Sequence, residues 1–404
     1  MNTAVEFRNV DILFGGKNRR AAAQKQEALA SLDAGKSRAE IAEQTGVVVG
    51  VANANLTVAH GEISVLMGLS GSGKSTLLRA ANGLNEVTRG QVLIEDGESV
   101  VDIAKCDAAT LRRVRRLRIA MVFQQFGLLP WRTVRDNVGF GLELRGEPKA
   151  ESKRIIDEQL ELVGLSQWAD RHVGELSGGM QQRVGLARAF ATNADVLLMD
   201  EPFSALDPLI RGKLQDELLT LQARVKRTIL FVSHDLDEAL KLGDHITILE
   251  GGRIVQTGTA DDIVLRPASD YVAEFVMHMN PLSVLTGAMV MRRAERGRDQ
   301  TVWLDDEHRF QVLIDDSGKP LSMKVDGTDQ PLGHIGEDEA WSEDRAGLAV
   351  APASSSLSTL IKLRDATGHP VLLVEEGRLL GSCCEKEIVR ALAGKRQPSH
   401  ADPA

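Results

Sequence analysis

Apolar and polar positions alternate from Val5 to Phe14, the period of a half-buried strand. The stretch Arg19 to Ala34 then reads as a helix. Ser37-Arg38-Ala39-Glu40 fits a capping box, in which a hydroxyl and a carboxylate each satisfy a backbone donor of the other residue. It opens a second short helix that should end at Gly46. Two helices therefore interrupt a strand-turn-strand opening at about 19–46. From Glu62 to Met67 a strand runs straight into a glycine-rich loop. Strands and helices alternate from there to about Val276, including strands at Ile119 to Phe123 and Val196 to Asp200 and a helical subdomain near 135–185. That rhythm predicts an α/β core.

The pattern changes beyond Pro281. Charged stretches at Arg292 to Asp299 and Gly336 to Arg345 separate short strand-like runs. Leu357 to Arg364 reads as a helix, and Pro370 to Glu375 and Arg378 to Cys384 read as strands around a Glu376-Gly377 turn. Lys386 to Ala393 reads as a closing helix. The expected division is 1–280 and 281–404, the second domain smaller and α+β.

Composition narrows the class. A chain of 404 residues exceeds the usual single domain. Its formal net charge is −9 and only 4% of residues are aromatic, which argues against a phosphate-backbone footprint or a base-stacking surface. Lys36 to Gly46 could be read as part of a DNA-binding helix-turn-helix, but the acidic balance favours a surface insertion without a nucleic-acid partner. Arg112, Arg113, Arg115, Arg116 and Arg118 form a basic run that reads as a solvated helix face or as a contact for a partner or lipid. Three cysteines are too few for a disulfide framework, and adjacent Cys383 and Cys384 read as packed thiols in a reducing cytoplasm. The residues Met1 to Val10 lack a signal-peptide pattern, and no run approaches about 18 apolar residues. Membrane association would then go through partner proteins.

The chemistry lies in ordered motifs. Gly68-Leu69-Ser70-Gly71-Ser72-Gly73-Lys74-Ser75 follows a predicted strand and fits the phosphate-binding P-loop. Glycines let backbone N–H groups wrap a polyphosphate, and the next helix aims its positive end at the same place. Lys74 would reach the β- and γ-phosphates, and the hydroxyl of Ser75, which Thr76 follows, would sit on Mg²⁺. An apolar strand at Val196 to Met199 ends in Asp200, which would help hold Mg²⁺, and Glu201, which would polarise the attacking water. The plain alternatives are a glycine turn that binds nothing and a pair of solvated acids. Leu176-Ser177-Gly178-Gly179-Met180-Gln181-Gln182-Arg183 places a serine and two glycines at a helix start, a second anion site.

In this order the motifs resemble those of ABC ATPases. The resemblance covers about 1–280 and implies a P-loop fold of the ABC-cassette type with a helical subdomain. It implies that Ser177, Gly178, Gly179 and Gln182 belong to the signature motif, whose helix end caps the γ-phosphate held by a second copy, so that ATP is sandwiched in a dimer. It further implies that Gln124 is the Q-loop glutamine near Mg²⁺ or the water, Asp207 a D-loop residue at the dimer interface, and His234 the switch histidine on the γ-phosphate. Phe14 would be the aromatic that stacks on adenine, with core packing as the alternative.

A narrower likeness is carried by the helical insert, the Gly68 to Thr76 loop and Met199 to Arg211, which resemble the glycine betaine, proline betaine and choline importers. Phe123 to Val134 looks most like the choline branch. That implies ATP-driven uptake of a quaternary ammonium compound, choline first, by a complex of two cassettes, two permease chains and an extracytoplasmic binding protein. Such a cassette sits peripherally on the cytoplasmic face of the inner membrane. The elements from about 350 to 393 resemble a regulatory CBS module. Rival readings are a soluble ABC ATPase of DNA repair or translation, and a cassette serving an exporter or an amino-acid importer.

Overall fold

The computed structural model describes residues 3–16, 19–97, 99–277, 282, 285–294, 300–305, 308–330, 332–334 and 348–392. The chain divides into two compact units, Met1–Ala273 and Glu274–Ala404.

Six strands of the first unit form one sheet in the order Arg253–Gly258, His245–Glu250, Ile63–Met67, Thr228–Val232, Val196–Asp200, Ile119–Val122. All neighbours are parallel except the hairpin at the Arg253 edge. Ile63–Met67, Val196–Asp200 and Thr228–Val232 are buried at every residue. Strands covered on both faces need continuous apolar runs, which is why these segments do not alternate. Leu77 and Leu78 of the helix Lys74–Ala81 share one core with Leu66, Leu198 and Leu230. In a parallel sheet all carboxyl ends face one way, so the loops after Met67, Val122, Asp200 and Val232 meet at one edge.

A second, antiparallel sheet has the order Val48–Ala59, Thr3–Phe14, Arg89–Asp96, Ser99–Asp102. The turn between Phe14 and Val48 is opened by the helices Arg19–Asp33 and Arg38–Thr45. Glu40 N–H donates to Ser37 Oγ at 3.3 Å and Ser37 N–H to Glu40 Oε2 at 2.8 Å, and Gly46 closes the helix at φ 68°. Ala28, Leu29, Leu32 and Ile41 pack on Leu13, Val47, Val49 and Ala52, giving the insert a core of its own. Arg89 fastens it to the sheet, with Nε on Asp11 at 2.6 Å and Nη2 on Asp33 at 2.7 Å. The insert is therefore built into the cassette.

Arg112, Arg113, Arg115 and Arg116 are exposed and Arg118 is half-buried, the solvated helix face read from sequence, yet some of these side chains also have partners. Arg113 and Arg118 pair with Asp96, Arg118 also reaches Asp195 at 2.7 Å, and Arg115 Nε donates to the Asn82 carbonyl at 2.7 Å. These three side chains tie the helix Ala108–Leu117 and its cap to neighbouring strands and loops from that solvated face. The helices Val134–Arg145, Lys149–Leu162 and Gly178–Ala191 form the helical subdomain. Among the described residues no helix is long and apolar enough to cross a membrane.

The second unit holds an antiparallel meander, Thr301–Trp303, Phe310–Ile314, Pro320–Val325, Thr328–Gln330. A mixed sheet has the order Arg292–Arg293, Arg378–Cys383, Val371–Glu375, Leu348–Pro352, Leu332–His334. Val302, Val312 and Met323 of the first share a core with Val350, Leu372 and Leu379 of the second. The helix Leu357–Thr367, the hairpin turning at Glu376 (φ 48°) and Gly377 (φ 79°), and the helix Glu385–Leu392 match the elements read from sequence. The stretch Gly336 to Arg345, most of Arg292 to Asp299, and Ala393 lie outside the described residues. Burial pushes the thiols of Cys383 and Cys384 up to about 12, so both stay protonated and unreactive.

Candidate active site

The loop Gly68–Gly73 follows the strand Ile63–Met67 and turns through left-handed backbone at Gly68 (φ 139°), Gly71 (φ 78°) and Gly73 (φ 102°). A Cβ at Gly68 would lie 2.1 Å from the Leu249 carbonyl, and one at Gly73 2.6 Å from the Gly50 carbonyl, so only glycine fits either place. Lys74, 7% exposed, points its Nζ back into the loop, donating to the carbonyls of Gly68 at 2.7 Å and Leu69 at 3.0 Å. Burial lowers its pKa, while the charges of Glu201 and Asp200 oppose that shift. Ser72 Oγ is buried and has no hydrogen-bond partner among the described residues. Leu69, Ser70 and Gly71 are exposed at the rim.

Asp200 is fully buried at the end of its strand. Its Oδ1 accepts from Ser75 Oγ at 2.7 Å, and its Oδ2 accepts from Arg79 Nε at 3.0 Å and Nη2 at 2.7 Å. Glu201 follows in left-handed backbone (φ 49°), which swings its side chain out of the strand direction. Gln124 Nε2 donates to Glu201 Oε2 at 3.0 Å, and His234 Nδ1 stands 3.6 Å from the same oxygen. Lys74, Ser75, Gln124, Asp200, Glu201 and His234 thus come together at one sheet edge, from four separate loops. The oxygen donors fit Mg²⁺, which takes one or two protein ligands and completes its shell with phosphate and water. No group of three or more His, Cys, Asp or Glu side chains placed to hold a metal occurs among the described residues.

Ser177 caps the helix Gly178–Ala191, its Oγ accepting from Met180 N–H at 3.4 Å. Ser177 and Gly178 are exposed. A Cβ at Gly179 would lie 3.2 Å from the Ala205 carbonyl, so the signature helix start packs on the turn that leads to Asp207. Asp207 caps the helix Pro208–Val225 through Ile210 N–H at 3.0 Å. Among the described residues no hydrogen bond joins Ser177, Gly178, Gly179 or Asp207 to the Gly68–Thr76 loop. Gln182 departs from expectation: its side chain is fully buried, with neither amide atom hydrogen-bonded among the described residues, so it faces the protein interior and not an exposed nucleotide surface. Phe14 is 42% exposed, and a Cβ at Gly50 would meet both Phe14 Cε2 at 2.6 Å and Thr76 Cγ2 at 3.1 Å. Its ring therefore lies beside the start of the phosphate-loop helix instead of in the core.

Residues 51–204 match the family model described as ABC transporter. The glycine betaine/proline betaine transport system ATP-binding protein ProV of Salmonella typhimurium is 50% identical over 97% of this chain and 98% of that protein. The glycine betaine transport ATP-binding protein OpuAA of Bacillus subtilis is 41% identical over 94% of this chain and 91% of its own length. The chain belongs to the ABC importer ATPases of the glycine betaine, proline betaine and choline type. The choline transport ATP-binding protein OpuBA of Bacillus subtilis is 44% identical over 66% of this chain and 74% of its own. A solved structure described as the dimeric post-hydrolysis state of the ATP-binding cassette MJ0796 bound to ADP and Pi aligns with a TM-score of 0.53 at 29% identity, over 63% of this chain and 98% of that one. As a member of this family, the chain binds ATP and couples its hydrolysis to transport.

Three side chains of this importer ATPase escaped the sequence reading. Arg79 clamps Asp200, and its position four residues after Ser75, on the same helix face, was the available signal. Asn137, fully buried, accepts from Leu129 N–H at 2.8 Å and donates to the carbonyls of Leu129 at 3.1 Å and Thr133 at 2.9 Å, holding the segment after Gln124. Glu238 lies behind His234, and its carboxylate accepts from Ser233 Oγ at 2.5 Å and Gln215 Nε2 at 3.0 Å. Burial raises the pKa of Glu238, joined by the charge of Asp235 and opposed by the two hydrogen bonds and Arg211. A raised carboxyl pKa costs nothing below the ordinary value of 4.5 and weakens the fold as pH climbs through the folded value. Glu238→Gln keeps the shape without the charge. Its unfolding temperature should gain on the parent as pH rises from about 4.5 to 8. Parallel melting curves across that series would refute the assignment.

Proposed function

We propose that this chain works as one half of a dimer that binds MgATP, hydrolyses it and drives uptake of a quaternary ammonium compound through permease chains. The observation that carries the hydrolytic part is the convergence of Gln124 and His234 on Glu201 Oε2, beside Lys74, Ser75 and Asp200. Glu201 orients and polarises the attacking water, Gln124 donates to its carboxylate, and His234, 3.6 Å from the same oxygen, would touch the γ-phosphate. Lys74, poorly hydrated in its buried site, draws the β- and γ-phosphates, while backbone N–H groups of Gly68–Ser75 cradle them. Ser75 and Asp200 would hold Mg²⁺, which neutralises developing charge on the phosphate oxygens when bound. Phe14 would stack on the adenine ring. Ser177, Gly178 and Gly179 would face the partner's nucleotide, with Asp207 at the shared interface. The neighbour described as a dimer supports this arrangement.

For the cargo, the relatives matched along most of the chain support a betaine-class compound, since their names carry glycine betaine or proline betaine. The choline expectation rests on Phe123 to Val134, and the relative named for choline aligns with a smaller share of the chain. In the proposed complex the chain sits peripherally on the cytoplasmic face of the membrane through transmembrane permease chains, and an extracytoplasmic binding protein completes it. The C-terminal unit is proposed as a regulator with electrostatic contacts that salt screens, the Debye length falling from about 10 Å at 0.1 M to about 3 Å at 1 M. Reconstituted complexes test all of this. Uptake and ATP hydrolysis should rise with glycine betaine, proline betaine or choline, and stimulation by an amino acid alone would sink the cargo reading. Uptake should rise with internal salt, and a chain lacking residues 281–404 should hydrolyse ATP yet lose that dependence. Parallel salt curves would remove the regulatory role.

A further inference from the structure

We propose that the helical insert supplies a phosphate-facing cation, Arg38, that strengthens nucleotide binding; this rests on the reading of Gly68–Ser75 as the nucleotide loop. Arg38 is the first residue of the helix Arg38–Thr45. A cation at that end opposes the helix dipole, so the helix gains nothing from it. Nor is it needed for the cap, which Ser37 and Glu40 complete between them. Instead the side chain leaves its own helix: Nη1 donates to the Gly71 carbonyl at 3.2 Å, across 33 residues of sequence. The neighbouring insert cation, Lys36, is turned the other way, its Nζ on Gln44 at 2.8 Å.

The target of Arg38 is the outer rim of the loop. Gly71 is exposed, sits in left-handed backbone, and has open space where a side chain would start. Arg38 itself is half-buried, and a single carbonyl occupies one of its N–H groups. Among the described residues the remaining fork has no other hydrogen bond and can bridge to an anion cradled by the loop, and a planar guanidinium suits phosphate oxygens. The support beneath it is firm: Ile41, one turn along, is fully buried in the insert core, and Arg89 pins Asp33 of the preceding helix. Lys74 already serves the inner side of the loop, held by Gly68 and Leu69. Arg38 would serve the outer side. The family match begins at residue 51, so the shared hydrolytic machinery does not include the insert. Arg38 is accordingly a nucleotide-binding residue whose effect falls on affinity more than on turnover.

The test uses the full chain and compares Kd for MgATP, MgADP and AMP in Arg38→Ala and Arg38→Lys. In Arg38→Ala the ATP Kd should rise about three- to tenfold, the ADP Kd less, and the AMP Kd little. The lysine variant should recover part of the loss, and raising salt should shrink the gap between parent and alanine variant. The unfolding temperature without nucleotide should hold. Unchanged ATP affinity in Arg38→Ala overturns the proposal. Equal weakening of all three nucleotides with a lower unfolding temperature also overturns it, since Arg38 would then only prop the insert. Lys74→Ala separates the two failures: if it weakens ATP and Arg38→Ala does not, this proposal alone falls; if neither does, the loop reading falls with it.

Discussion

Glu201→Gln should stop turnover while ATP still binds. The substitution keeps length and shape, and glutamine is no worse than glutamate in the left-handed backbone at this position. What disappears is the charge that accepts from Gln124 and stands 3.6 Å from His234. A water facing a neutral amide loses its general base, which costs about two to four orders of magnitude in rate. The loop backbone and Lys74, proposed to bind the nucleotide, keep their positions in this variant. The variant should therefore accumulate ATP-bound dimers, visible by size-exclusion chromatography with MgATP. Hydrolysis near the parent rate would end the role assigned to Glu201.

Ser177→Arg and Lys74→Ala should fail in different ways. Lys74→Ala removes a buried cation from its own loop and should weaken ATP binding by about one to two orders of magnitude, in line with charge-assisted contacts of roughly 1.5–3 kcal/mol. Ser177→Arg leaves that loop intact and places bulk and charge on an exposed helix start. ATP should bind the single chain normally and dimer closure should fail. Mixing the two variants forms some dimers in which one site carries both lesions and the other carries none. Partial activity in the mixture supports shared sites. Unchanged ATP-driven dimerisation of Ser177→Arg alone would refute the trans arrangement.

Much of this was legible in the chain because phosphate chemistry is local. A glycine loop after a strand, and an apolar strand ending in two acids, state their geometry over fewer than ten residues. The capping box at Ser37 and the turn at Glu376-Gly377 are equally short-range, and both formed as read. What stayed hidden were contacts between distant segments. Arg79 reaching Asp200 and Arg38 reaching Gly71 each depend on how separate elements dock. Gln182 misled for a related reason: a glutamine beside a signature motif looks chemical, but its helical phase turns it inward. The antiparallel meander at 301–330 was seen only as short strand-like runs, since its pairing is not written in any one of them.

Arg188 sits near the far end of the helix that Ser177 begins. Its guanidinium, whose pKa burial lowers, donates to the carbonyls of Gly127 at 2.7 Å and Phe126 at 2.9 Å. Those two carbonyls belong to the tight turn that follows Gln124, with both residues in left-handed backbone. Separating helix from turn would break both hydrogen bonds of a largely buried cation, so the contact favours their moving together. Linkage between two such ends is reciprocal. If Ser177 faces a nucleotide as proposed, a partner gripping the exposed Trp131 should alter how readily the two meet, and the nucleotide should alter that grip by the same factor.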